Sequence, residues 1–489
     1  MIKKFIQRVF GGGKPREGGA ARAAPAKAGK GKWRIYTQPE HGIHRDDLSE
    51  AAVTVCEGLQ RAGYEAFVVG GAVRDLLLGR HPKDFDVATN ATPEQVRGVF
   101  RRARIIGRRF RLVHVMFRDE TIEVSTFRSS HSDPEADDSN ARADEHGRLL
   151  RDNVFGNQEE DALRRDFTMN ALFYDPTKQE VLDFVNGVAD IQKKRVVMIG
   201  DPEARYREDP VRMLRAARLA AKLEFSIDAA TEKPIAPLAP LLDNVPTARL
   251  FDEIQKLLFS GHALAGLAKL RKLGLHLGIL PVLDRLFDDP ASRPFITLAL
   301  QRTDQRIADD KGVSPPFLFA ALFWHPMVSR WHHLEAGGTR TAQAMHQAMD
   351  DVLDDARRSL AIPRRLDPLI KELWLAQPRF LQRSQVKAYR NLSHPRFRAA
   401  YDFFALRAEA GDAGQDIAAW WERFQFADDA ERETMLLPDD EPKKSKRRRR
   451  KKKTSTAGSA EASSDGGGRN GNDSDNNSDN GNGTGHSTP

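Results

Sequence analysis

The sequence predicts an α+β fold: a small mixed-sheet head, then all-helical domains, with disordered basic tails at the ends. Three observations lead there. Between Ala66 and Phe127, short apolar runs alternate with turn residues and helix starts. From about residue 176 onward, apolar residues recur at helical spacing instead, most plainly in HALAGLAKLRKLGLHLGIL at 262–280. Both ends abandon apolar patterning for Gly, Ala, Ser, Asn, Lys and Arg. The segments are then 1–39, a basic segment and linker; 40–175, the head; 176–260 and 261–430, helical; and 431–489, a basic then polar tail.

Residues 1–34 carry ten Lys/Arg against one Glu, residues 443–453 (KKSKRRRRKKK) carry ten Lys/Arg, and 454–489 carry one Arg against five acids. With a whole-chain charge of +8, the body 35–442 is left mildly acidic at −7. Such tails attract polyanions without sequence preference. Ile2, Phe5, Ile6, Val9 and Phe10 recur at helical spacing among Lys3, Lys4 and Arg8, so residues 1–10 can form a basic amphipathic helix able to touch an anionic membrane surface. The competing reading is a frayed chain start. No run reaches membrane-spanning length, no three-part secretory signal is present, and the single cysteine, Cys56, excludes an internal disulfide. The expected location is the cytoplasm.

In the head, Ala66-Phe67-Val68-Val69 reads as a buried strand, and Gly70-Gly71 as a tight turn that lets backbone approach a ligand. A short helix from Val73 to Leu78 carries Arg74 and Asp75. Asp84-Phe85-Asp86-Val87 alternates, so Asp84 and Asp86 share one face while Phe85 and Val87 face a core. Two carboxylates on one face repel unless a cation sits between them, and a hard divalent ion such as Mg²⁺ prefers oxygen ligands. An Asp-x-Asp pair alone is more often a solvated strand end. In strand–Gly-Gly–helix–strand order the combination is far more specific. Thr121 to Phe127 alternates too, and puts Glu123 on the polar face as a candidate third ligand. Thr92-Pro93-Glu94-Gln95 is a capped helix start. Strands are expected near Ile105 and over 112–117, a mobile polar loop over 129–150, and an amphipathic helix over 48–62 that buries Cys56.

The stretches GGAVRDLLLG, KDFDVATNATPEQV and IEVSTFR, followed by EEDALRRDFTMNALFYD, DFVNGVADI and EDPVRMLRAARLAAKL, resemble the RNA nucleotidyltransferases of the DNA polymerase β-like superfamily. That class holds tRNA nucleotidyltransferases that add CCA ends and bacterial poly(A) polymerases. The likeness is strong over 63–225 and looser to about 428. It implies transfer of a nucleotide to an RNA 3′-end with loss of pyrophosphate, supported by two Mg²⁺ ions on converging carboxylates. Asp84 and Asp86 are the first ligands. Glu123 and Asp166 both remain open as the third carboxylate, and Asp166 has an alternative as an ion pair with its own arginines. Donors to the triphosphate are the Gly70 and Gly71 amides, Arg74, Arg128, and Arg164 or Arg165.

Asp209, Arg212, Arg215 and Arg218 share a helix face at spacings of three. The resemblance implies that Asp209 and Arg212 read the incoming base. A carboxylate accepts from an exocyclic amine and an arginine donates to a ring nitrogen, a pattern that fits adenine and cytosine and leaves guanine and uracil unpaired. Arg218 and Lys222 read as a solvated basic stripe. The run 105–115, rich in arginine, and DNVFGNQEEDALRRDFT are similar to poly(A) polymerases rather than CCA-adding enzymes. Arg101, Arg102, Arg104, Arg108, Arg109 and Arg111 would hold unrelated RNA ends, or would simply guard a strand edge. The expectation is therefore a monomeric, template-independent polymerase that adds AMP from ATP to the 3′-ends of mRNA and other transcripts. The alternatives are a CCA-adding tRNA nucleotidyltransferase and a non-catalytic RNA-binding protein. The choice between Mg²⁺ and Mn²⁺ stays open.

Overall fold

A computed structural model describes residues 33–107, 111–129, 155–276 and 288–438, with the backbone of 141–143 and 149–152. The expected helix at 1–10, the linker that follows it, Arg108, Arg109, most of the 129–150 loop and the tail from 439 lie outside the described residues. The described residues all fall in one compact unit.

A mixed eight-stranded sheet carries the head. Its strands are β1 (Arg34–Thr37), β2 (Ala66–Val69), β3 (Asp86–Thr89), β4 (Ala103–Ile106), β5 (Leu112–Met116), β6 (Thr121–Thr126), β9 (Leu172–Asp175) and β10 (Glu180–Asp183), and β7 (Ala141–Ala143) pairs separately with β8 (Leu149–Asp152). The spatial order is β1-β10-β9-β2-β3-β6-β5-β4. The sheet thus runs past both expected limits of the head, 40 and 175. Four-residue strands such as β1 and β10 are too short to announce a period. β4, with Arg104 exposed, is the outer strand, as a charged strand edge requires.

Alternation along the strands builds two cores. Val68, Val87, Val113, Val115, Ile122 and Val124 face the main core together with the helix Glu50–Arg61, where Cys56 is buried. Phe67, Val69, Ala88, Phe127 and Phe173 face a smaller core with Ala162 and Ile199. Phe67, Phe127 and Phe173 pack with centroids 6.2–6.3 Å apart. Each fully buried ring contributes roughly 1.5–3 kcal/mol, which pins β2, β6 and β9 under the turn that follows β2.

The remaining described elements are almost all helices. The helix Pro93–Val99 begins with the expected capping box: the Gln95 amide donates to Thr92 Oγ1 and the Thr92 amide to Gln95 Oε1. Farther on, the buried indoles are satisfied, with Trp374 Nε1 donating to the Ala320 carbonyl at 3.0 Å and Trp421 Nε1 to that of Phe380 at 2.8 Å. Among the described residues, no helix is long and apolar enough to cross a membrane.

Candidate active site

Strand register assembles the acids. β3 runs parallel to β6 with Asp86 opposite Glu123, and antiparallel to β2 with Asp86 opposite Val69. Asp86 opens β3 and Asp84 lies just before it, with Phe85 and Val87 buried between and after them. Because Val87 and Val124 face the main core, Asp86 and Glu123 share the opposite face. Glu123 also lies 3.6 Å from His114 Nε2 on β5.

The Asp86 carboxylate opens into a cleft between the head and the following helices. Desolvation there, then the charges of Glu123 and Asp84, push its pKa up to about 6, with Arg165 pulling the other way. Hard oxygen donors that repel one another are the right chemistry for Mg²⁺. Among the described residues, no three of them converge tightly enough to make a ready-made metal centre. The acids fit a divalent ion by type and by face. A stability consequence follows. A folded-state pKa above the unfolded value of about 3.9 means that the folded chain holds the extra proton between pH ~4 and ~6, so stability falls as pH rises through that window. Asp86→Asn should therefore stabilise the metal-free protein at pH 8, by about 1 kcal/mol once solvent screening is taken off. Melting curves with EDTA and with Mg²⁺ check this: Mg²⁺ should raise the Tm of the parent protein more than that of the variant.

Gly70 caps the helix Gly71–Leu77 at φ 75°, a conformation only glycine adopts without strain. Its amide donates to the Leu172 carbonyl at 3.2 Å, so of the two expected amide donors it is committed to the fold. The Gly71 amide, in the first helical turn, has no intrahelical partner. A Cβ on Gly70 would lie 3.4 Å from Arg165 Nη1, and one on Gly71 3.5 Å from Arg74 Nη2, so the two glycines let these guanidiniums lie close to the backbone.

Arg74 is buried, with Nε and Nη2 on Asp75 Oδ1 and Nη1 on Asn170 Oδ1 at 2.7 Å. Arg164 and Arg165 pair not with Asp166 but with Asp161, one turn earlier, at 3.0 and 2.9 Å. Burial would raise the Asp161 pKa, but the two arginines hold it below the usual range. Asp161 was readable from its i,i+3 and i,i+4 spacing to that pair. Arg128 is buried in a bridge with Phe155, and its amide donates to Asp161 Oδ1. It does not line the cleft. Asp166 does, but its Oδ2 accepts from Arg215 Nη1 at 2.8 Å and its Oδ1 from the Phe167 amide at 2.8 Å. Burial alone would raise its pKa; Arg215 and these bonds hold it low.

The cleft, about 470 Å³, joins Gly70, Gly71, Arg74, Asp86, Arg164 and Arg165 from the first half of the site to Asp209 and Arg212 from the second. Asp209 Oδ2 accepts from Arg249 Nη2 at 2.9 Å, while its Oδ1 is buried with no hydrogen-bond partner among the described residues. Arg212 Nη1 donates to the Arg205 carbonyl and to Glu208 Oε2, at 2.9 and 2.8 Å. Arg205 in turn donates to the carbonyls of Arg164 and Arg165, tying the Asp209–Arg212 end of the cleft to the Arg164–Arg165 end.

The basic stripe on the helix Val211–Leu223 is not solvated as expected. Glu253, 5% exposed on the helix Thr247–Leu258, accepts from Arg215 at 3.3 Å and Arg218 at 3.2 Å. The sequence offers no local signal for Glu253 or Arg249, which arrive from a different helix. Glu253→Ala would leave the half-buried Arg218 guanidinium without its carboxylate and leave Arg215 with Asp166 alone, and should destabilise the protein by about 2 kcal/mol, read as a lower denaturant midpoint at unchanged slope.

Family models match in three blocks: a poly A polymerase head domain over 66–197, a probable RNA and SrmB-binding site of polymerase A over 224–287, and a polymerase A arginine-rich C-terminus over 337–454. The poly(A) polymerase I of Salmonella typhimurium is 47% identical over 415 residues, spanning 83% of this chain and 89% of the relative. The chain belongs to the poly(A) polymerase I family. The Escherichia coli O157:H7 poly(A) polymerase I matches to the same extent. A CCA-adding enzyme of Geobacillus thermodenitrificans is 38% identical over 226 residues, only 46% of this chain and 53% of the relative. Among solved structures, the Bacillus stearothermophilus CCA-adding enzyme in complex with CTP is 25% identical with a TM-score of 0.52, covering 76% of this chain and 80% of that one. As a poly(A) polymerase family member the chain is a nucleotidyltransferase, an enzyme that adds adenylyl residues. The mixed-sheet head with helical remainder expected from the sequence is the fold of that family.

Proposed function

We propose that this enzyme extends RNA 3′-ends with AMP from ATP, without a template, as an mRNA-processing and decay activity of the cytoplasm, and that it acts as a monomer. The observation that carries the reading is Asp209: one oxygen held by Arg249, the other buried, unpaired among the described residues and beside Arg212 at the cleft wall. A buried acceptor without a donor is costly unless a ligand supplies one. The exocyclic amine of adenine does so, and Arg212 meets the adjacent ring nitrogen. Because Arg249 holds the carboxylate in one place, the pair accepts one base geometry rather than adjusting between adenine and cytosine.

Two Mg²⁺ ions, held by Asp84, Asp86 and Glu123, would supply charge neutralisation at the attacking and leaving oxygens. The chain's own groups do the rest. The Gly71 amide, Arg74 and Arg165 orient the triphosphate, and Arg164 and Arg165 stay aligned because Asp161 holds both. Asp166 serves as a positioning residue for Arg215 rather than as the third metal ligand, since both its oxygens are already bonded. A tRNA lacking its CCA end tests the choice of product. With CTP and ATP both present, a run of adenylates independent of CTP supports the proposal. Addition of two or three nucleotides that requires CTP and then stops would replace it with a CCA-adding enzyme.

A further inference from the structure

The cleft is lined by eight cationic side chains and four carboxylates. The carboxylates are largely spoken for. Glu253 serves Arg215, Arg218 and Lys256, Asp166 serves Arg215, and Asp209 serves Arg249. Asp75, beside the cleft, is taken by Arg74 at 2.6 Å. One lining cation, Lys222, is half-buried and has no carboxylate within ion-pair distance among the described residues. Arg80, exposed at the rim, reaches over to the Lys222 carbonyl at 3.4 Å and likewise has no ion pair among the described residues. Burial, then the neighbouring Arg74, Arg218 and Arg80, outweigh Asp75 and hold the Lys222 ammonium below the ordinary lysine value. A partly desolvated cation among cations is unfavourable without an anion to meet it.

We propose that Lys222, with Arg80 beside it, is a phosphate-binding subsite of this cleft, at the end remote from the base reader. The inference rests on the nucleotidyl-transfer reading above. Ten residues separate Arg212 from Lys222 on one helix, so about 15 Å lies between the base-reading level and this subsite. That span exceeds a nucleobase and sugar, which leaves phosphate as the part of a substrate that reaches Lys222. A lysine serves there as a point charge, without the fixed fork of an arginine. The phosphate belongs either to the terminal end of the nucleotide or to the backbone of the RNA primer.

Lys222→Met keeps the aliphatic stem and removes the charge; Lys222→Arg restores a charge. Two readouts separate the sources. The first is anisotropy of a labelled oligoadenylate without ATP, titrated between 50 and 200 mM salt. The second is the KM for ATP together with inhibition by pyrophosphate. If the RNA backbone is the ligand, Lys222→Met should weaken oligoadenylate binding about tenfold and reduce the salt slope by about 0.7, leaving the KM for ATP unchanged. If the nucleotide's terminal phosphate is the ligand, the KM for ATP and the inhibition constant of pyrophosphate should both rise about tenfold at constant RNA affinity. In either case Lys222→Arg should recover most of the loss. The proposal is overturned if both readouts stay within twofold of the parent protein, or if Lys222→Met and Lys222→Arg lose equally and melt lower. Failure of the underlying reading looks different: the parent protein itself would then fail to transfer AMP to RNA.

Discussion

Asp86→Ala should lower AMP incorporation by about a thousandfold or more while leaving RNA affinity within twofold. Asp86 is the acid at which three structural features meet: the start of β3, the parallel register to Glu123 and the wall of the cleft. Its pKa of about 6 reports how strongly its surroundings resist its charge in the absence of a cation. Removing it takes away one of the groups that would hold the divalent ions, whose stabilisation of the transition state amounts to several kcal/mol. RNA affinity should survive because the cationic groups outside this corner are untouched. Asp84→Ala should behave the same way. Single-turnover incorporation alongside a filter-binding isotherm separates the two quantities. Retained turnover in both variants would remove the acids from the chemistry.

The second large effect is expected at Asp209. Asp209→Ala removes the buried acceptor and should reduce kcat/KM for ATP by about a hundredfold, the scale of one lost hydrogen bond to a charged group. Arg249→Ala is subtler. It leaves the carboxylate in place but releases its second oxygen, now fixed at 2.9 Å. The carboxylate can then turn to meet cytosine, so the preference for ATP over CTP should fall by about tenfold, with a smaller loss for ATP itself. Parallel measurement of kcat/KM with ATP and CTP checks both. An Arg249→Ala enzyme as selective as its parent would show that the fixed carboxylate does not set the choice.

What is legible in the sequence alone is local. The turn after β2, the alternation of Asp84 through Val87 and the capped helix at Thr92 each lie within a few residues, where periodicity and turn chemistry speak directly. The groups that give the site its electrostatics were invisible for the opposite reason. Arg249 is 40 residues from Asp209, and Glu253 is 38 from Arg215. Only the packing of Thr247–Leu258 against Val211–Leu223 brings them together. Arg218 and Lys222 read as solvated because a helix pattern says which face is polar but not what covers it. For Asp166 the sequence leaves two readings open, a third carboxylate implied by the resemblance or an ion pair with Arg164 and Arg165; the structure gives those arginines to Asp161 and pairs Asp166 with Arg215.

On the proposed reading, a pocket fixed around Asp209 and Arg212 should make this enzyme select ATP. Purified protein with Mg²⁺ and an end-labelled, unstructured RNA, given ATP, CTP, GTP or UTP in separate reactions and resolved on a sequencing gel, tests it most directly. A long ladder with ATP and at most trace extension with the other three is the expected result. Extension with CTP as readily as with ATP, or no extension of this RNA by any nucleotide, would contradict it.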